Sequence, residues 1–173
     1  MIVPQSPRPP RTHAKGKLYL QFQLAGQRFA LDAHEVLEIL PRCPLKPIPE
    51  TPRWVAGIMA HRGVLVPVLD LSLRMCGQAA VMRTSTRLVL VGYRPGGQAP
   101  ARPLGLLLEH ATETLRCQPD EFLAYGLDNG QAPYLGPVRQ DAQGLVQRIG
   151  VDDLLPDDVR RLLFPGEPAQ VGA

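Results

Sequence analysis

The stretch "IMAHRGVLVPVLDL", Ile58 to Leu71, decides the fold. Two runs of strand-forming aliphatic residues flank His61-Arg62-Gly63, and Gly63 fits the φ > 0 position that a tight hairpin turn demands. Pro67 cannot donate a ladder hydrogen bond, so the return strand is expected to lie at an edge or to carry a bulge there. Asp70 followed by "LSLRMCG" predicts an N-cap, one or two helical turns and a stop at Gly77. A histidine and an arginine at so apolar a hairpin pose the functional question. An exposed Arg62 can reach a partner's carboxylate or carbonyl in bidentate fashion, or it can fold back to brace the hairpin; position alone leaves both open.

Strand patterns continue on either side. "LYLQFQL" (Leu18 to Leu24) places Leu18, Leu20, Phe22 and Leu24 on one side, and Ala25-Gly26-Gln27 turns the chain into "RFAL". "AHEVLEIL" (Ala33 to Leu40) fits a helical turn or a third strand, and Pro41 ends either. "PLKPIPETPRW" is extended by its prolines, and residues 78–85 read as a linker. "TRLVLVGY" (Thr86 to Tyr93) is a strand, "RPGGQAPAR" a long hairpin loop and "PLGLLLEHA" the return, with a change of direction around "TETLRCQPDEF". Pro133 to Val138 and Gly144 to Ile149 read as two more strands around the turn "RQDAQ". "LLPDDVRRLLFPGEP" is a short helix with its acids first and its arginines later, the polarity the helix dipole favours.

A similarity between "LYLQFQLAGQRFALDAHEVLEIL" and "RLVLVGYRPGGQAPARPLGLLLEHATETL" suggests two related β lobes joined near residue 80. The expected organisation is a disordered Pro/Arg-rich arm over residues 1–16 and a body over 17–165, with a tail over 166–173. Within the body the lobes cover about 17–80 and 81–155, and a C-terminal helix covers about 156–164.

With 173 residues, folding buries roughly 70% of the unfolded chain's surface, so no disulfide or metal staple is needed. No apolar run approaches the length of a bilayer span and the N-terminus has no apolar signal core, so the cytoplasm is the expected compartment. Cys43, Cys76 and Cys117 are odd in number and lack a Cys-x-x-Cys pair; they are expected as small apolar residues in or near the core. The four histidines show no metal-ligand spacing. No Gly-rich phosphate loop and no Gly-x-Ser-x-Gly elbow occurs. His61, Arg62 and Asp70 form a catalytic set only if the fold makes them converge, which their spacing does not show. No enzyme activity, cofactor or metal is expected. Four bases and no acid fall in residues 1–17, leaving 15 bases against 16 acids in the rest. The excess charge thus belongs to the arm. That arm supports an alternative, a small β-barrel RNA-binding protein, which needs a basic groove with stacking aromatics.

The pattern P-x-x-V-x-G-I…R-G-x-x-x-P-V-x-D-L is filled by Pro52, Val55, Gly57, Ile58, Arg62, Gly63, Pro67, Val68, Asp70 and Leu71. With "FQLAGQRFAL…VLEIL", "TRLVLV…PLGLLLEHATETL" and "YLGPV…GLVQRIGVDDLL", the chain resembles the CheW-like chemotaxis coupling proteins over about residues 18–155. The resemblance implies an all-β fold with short helices: two SH3-like five-stranded β-barrel lobes packed through a hydrophobic seam. It also implies a non-catalytic adaptor that joins the cytoplasmic tip of a methyl-accepting chemoreceptor to the regulatory domain of a CheA-type histidine kinase. Such an adaptor is recruited to receptor arrays without entering the membrane or binding nucleic acid. By position, Val36 and Glu38 fall in the region the family uses at the receptor groove. Gly57, Arg62 and Gly63, with His61 beside them, fall in the motif whose alteration upsets coupling. Gly57 also suits a strand bend or close packing. The family usually has Asn-Leu-Arg-Gly at the tip, where this chain has Ala60-His61-Arg62-Gly63, and "RPGGQAPAR" lengthens one loop. The C-terminal phrases are similar to coupling proteins of Wsp-type surface-sensing pathways.

Overall fold

The computed structural model describes residues 16–126, 130 and 132–166; the expected arm (apart from Gly16) and nearly all of the expected tail lie outside them. Nine strands and two short helices follow in order: β1 (Lys17–Leu24), β2 (Gln27–Asp32), β3 (Val36–Leu40), β4 (Val55–His61), β5 (Val64–Asp70), α1 (Leu71–Cys76), β6 (Arg87–Tyr93), β7 (Arg102–Cys117), β8 (Leu135–Asp141), β9 (Gly144–Ile149) and α2 (Asp157–Leu163). "AHEVLEIL" resolves into a single 3-10 turn, Ala33–Glu35, followed by β3. Its β-branched and leucine content serves the sheet once Asp32 has capped the turn by accepting a hydrogen bond from the His34 amide.

The strands form two five-stranded ladders that share β7. Lobe A runs β7-β1-β2-β9-β8 and lobe B runs β3-β6-β7-β5-β4. The chain therefore does not divide near residue 80. Lobe A takes β1 and β2 from the start of the chain and β8 and β9 from its end, with lobe B between them. The reason is β7. "TETLRCQ" is no change of direction; the strand continues for 16 residues. Its first part pairs with β5 and β6, and its second part pairs with β1. His110 takes φ 49° at the crossing, and the β1–β7 register shifts beside it between Gln21 and Gln23. A bulge of this kind bends a strand and strengthens its twist, which lets β7 leave one lobe and enter the other.

Alternation along these strands feeds three apolar clusters. Leu20, Phe22, Leu24, Phe29 and Leu31 of lobe A meet Val89, Val91, Tyr93, Leu104, Leu106 and Leu108 of lobe B. This seam is the main core, and α2 covers it with Val159. The opposite faces fill the lobe interiors: Tyr19, Ala30, Cys117, Phe122 and Val146 in A, and Val66, Val68, Leu88, Leu90 and Leu107 in B. The unbroken run "LVLV" in β6 reflects burial on both faces. At about 1.5–3 kcal/mol per buried large side chain, the seam is what holds the lobes together.

The hydrogen-bonded ladders do not close into barrels. The outer strands β4 and β8 instead receive isolated bridges, Lys46 with Ile58 and Leu123 with Val138, which occupy part of each edge. Pro67 lies inside the lobe, not at an edge, since β5 runs between β4 and β7. The parallel ladder to β7 begins one residue later at Val68, and the irregularity falls on β4, between Val55 and Gly57. Asp70 and Gly77 cap α1 as expected: Asp70 accepts from the Leu73 amide, and Gly77 takes φ 71°. Cys117 is buried and Cys76 half-buried, but Cys43 is exposed, because the proline-rich segment that carries it runs along the surface.

Candidate protein-binding site at a hairpin tip

The β4–β5 hairpin is closed by Arg62 (φ 51°) and Gly63 (φ 76°), both left-handed, as a two-residue turn matching the sheet twist requires. Arg62 is the unusual occupant, since a side chain there costs about 1 kcal/mol or more. The turn brings the tip against β3. His61 Nε2 lies 2.8 Å from Glu38 Oε2, and an Arg62 guanidinium nitrogen lies 3.4 Å from Glu38 Oε1. One carboxylate thus receives both side chains. The exposures differ: the side chain of Glu38 is 31% accessible and that of His61 22%, whereas that of Arg62 is 77% accessible. His61 is the clamp. Arg62 is held by one long contact and leaves most of its donors facing solvent.

Three of the six expected site residues, Glu38, His61 and Arg62, are therefore brought together. Gly63 belongs to the same turn, and open space surrounds the position a Cβ would take. Val36 is half-buried against the seam and secures the start of β3. Gly57, with φ 147°, lies where a Cβ would stand 2.5 Å from the Lys46 carbonyl oxygen, so its close-packing role is direct. The sequence reading missed exposed apolar residues on β3 and directly after the turn. Leu37 and Ile39 alternate with Glu38 on β3, and Val64 and Leu65 follow the turn; all four are exposed. Their alternation was legible, but which face met water depended on β3 being an outer strand.

Asp70 does not join His61 and Arg62. It ends β5, about 20 Å from the tip by strand rise. Its buried carboxylate is occupied by the amides of Leu73 and Ala80, at 3.0 and 2.9 Å. A catalytic set of these three has no geometry. The stacking platform required for RNA is also missing among the described residues. All four phenylalanines, with Tyr19, Tyr93 and Tyr134, are buried, the half-buried Trp54 ring lies under the Arg74 guanidinium, and the half-buried Tyr125 hydroxyl accepts a hydrogen bond from the Gln147 side-chain amide.

Two carboxyl groups elsewhere in the molecule have shifted acidities. In lobe A, Arg28 donates two hydrogen bonds to Asp141, at 2.8 and 2.7 Å, and Arg139 and the Gln143 amide add to the same carboxylate. The Arg28 pair, more than the cost of desolvation, holds the Asp141 carboxyl down to about 2. Glu35, in the turn before β3, is pushed up to about 7 by burial, with the charges of Asp32 and Asp152 adding to it.

The sequence profile of the CheW-like domain matches residues 18–159. The chemotaxis protein CheW of Rhizobium meliloti (strain 1021) is 29% identical over 100 residues, 58% of this chain and 61% of that protein. Protein FrzA of Myxococcus xanthus is 40% identical over 50 residues, 29% of this chain and 31% of that protein. The matched stretches thus span less than two thirds of these relatives. The crystal structure of the scaffolding protein TtCheW from Thermoanaerobacter tengcongensis superposes with a TM-score of 0.72 at 21% identity, covering 86% of this chain and 94% of that one. That likeness extends to the two-lobed fold, and the profile spans nearly the whole described body: the chain belongs to the CheW-like domain family.

Proposed function

We propose that this protein is a non-catalytic adaptor that couples the cytoplasmic tip of a methyl-accepting chemoreceptor to the regulatory domain of a CheA-type histidine kinase. The observation that carries the reading is the Arg62 guanidinium, mostly exposed on a strained turn that Glu38 and His61 hold in place. Arginine with most of its donors free suits recognition of a partner's carboxylate or carbonyl groups, and the exposed Val64 and Leu65, directly after the turn, supply apolar contact beside it. Binding free energy alone does the work: docking to both partners fixes their relative orientation, and charge pairing sets which partners fit. No helix of the described residues is long and apolar enough to cross a membrane. In this reading the adaptor is recruited to membrane arrays by binding the receptor.

The test is reconstitution. Purified protein is mixed with a cognate kinase regulatory domain and a receptor-tip fragment, and co-migration is followed with each alone and with both. Binary complexes with each and a ternary complex with both are expected. Failure to bind either partner overturns the proposal.

A further inference from the structure

Beyond the hairpin tip, lobe B carries a cleft of about 560 Å3 between the segment after β3 and the loop before β6. Arg42, Arg83 and Arg87 line it with Cys43, Thr84 and Thr86, and no carboxylate does. The charge is uneven along the chain in the same sense. From Asp70 to Glu109 there is no acid, while Arg74, Arg83, Arg87, Arg94 and Arg102 fall between them, and Arg42 lies in the acid-free run from Glu38 to Glu50. The body is neutral in sum but not in distribution.

The loop is built rather than loose. The fully buried Thr86 hydroxyl donates to the Val81 carbonyl at 2.6 Å and accepts from the Arg83 amide at 3.1 Å. The Val81 amide is held by the buried carboxylate of Glu109, and one Arg87 nitrogen donates to the Thr84 and Thr86 carbonyls. These bonds fix the backbone that presents Arg83 and Arg87. Across the cleft, Pro41 and Pro44 restrict the backbone around Arg42. Three arginines line one space with no carboxylate among the lining residues, Arg42 and Arg83 exposed and Arg87 partly engaged by backbone carbonyls, and planar guanidinium donors match phosphate oxygens. The volume is that of a small-molecule site.

We propose that this cleft binds a small ligand bearing a phosphate or pyrophosphate group, independently of the partner-binding tip. The test uses the full chain titrated with pyrophosphate and with ATP, followed by calorimetry at about 50 and 200 mM salt. Saturable one-to-one binding that weakens with salt is expected. Arg42→Ala with Arg83→Ala, two exposed side chains, should weaken it at least tenfold. Arg94→Ala, an exposed arginine outside the cleft, should leave it unchanged. The relative strength of the two probes separates a bare polyphosphate from a nucleotide as the ligand. No binding at millimolar probe, equal binding by the double variant, or equal loss in Arg94→Ala overturns the proposal. So does cleft-dependent binding of RNA or of anionic vesicles without binding of either small probe.

Discussion

His61 Nε2 stands 2.8 Å from Glu38 Oε2, across the two outer strands of lobe B, which share no backbone ladder. A side-chain pair thus joins what hydrogen-bonded pairing leaves open, at the point where Arg62 is displayed. Glu38→Ala removes the partner of both. The expected loss of stability is about 1 kcal/mol or less, because the pair is partly solvated. The expected loss of partner affinity is at least tenfold.

Arg62→Ala separates display from bracing. Its single 3.4 Å contact and high exposure predict a thermal midpoint within about 2 °C of the parent, with affinity for the kinase regulatory domain or receptor tip reduced about tenfold or more. Paired melting and binding measurements decide it. A large fall in midpoint with unchanged affinity would make Arg62 a brace.

Gly57→Ala should be the costliest small change in the hairpin. Its φ of 147° and the Lys46 carbonyl 2.5 Å from a built Cβ force the backbone apart and break the bridge to Ile58. A loss of about 2–4 kcal/mol is expected on chemical denaturation. Gly63→Ala, strained in φ but meeting open space, should lose only about 1 kcal/mol.

Asp141→Asn tests the lobe A network. The carboxyl titrates lower in the folded chain than its ordinary 3.8, so its contribution is complete above about pH 4 and is lost as pH falls toward 2. At neutral pH the variant should be less stable by about 2 kcal/mol. The difference between parent and variant should shrink in acid, read as midpoint against pH.

Glu35 has the opposite sign. Its folded carboxyl holds a proton more tightly than the ordinary 4.5, so its contribution is full below about pH 4.5 and declines as pH rises through 7. Glu35→Gln should remove that decline. At about pH 8 it should be more stable than the parent by about 1–2 kcal/mol, after discounting for solvent access. Equal pH profiles for the two proteins would sink this assignment.

Much of this was legible in the residues. Turn chemistry at Ala25-Gly26 and Arg62-Gly63, the Asp70 cap and the Gly77 stop are local, and local rules sufficed. The pairing of β1 with the far half of β7 was not legible, because it is fixed by a bulge at His110 that no glycine or proline announces. The site was legible in part: Arg62 stood out by its place at the turn and Glu38 by resemblance, but the meeting of Arg62 and His61 on the Glu38 carboxylate needed the outer strands placed. Arg28 and Asp141 are 113 positions apart, a pairing that no spacing rule reaches.

Because lobe B is nested in sequence within lobe A, the two cannot mature in the order the ribosome delivers them. Residues 33–108 contain every other strand of lobe B and the half of β7 that completes it, whereas β1 and β2 must wait for residues 109–149. The inner unit is therefore the one able to assemble during synthesis, with the first-made hairpin unpaired at its edges until the last strands emerge. Truncation before β8 should accordingly leave a protease-resistant inner fragment sooner than an intact outer one.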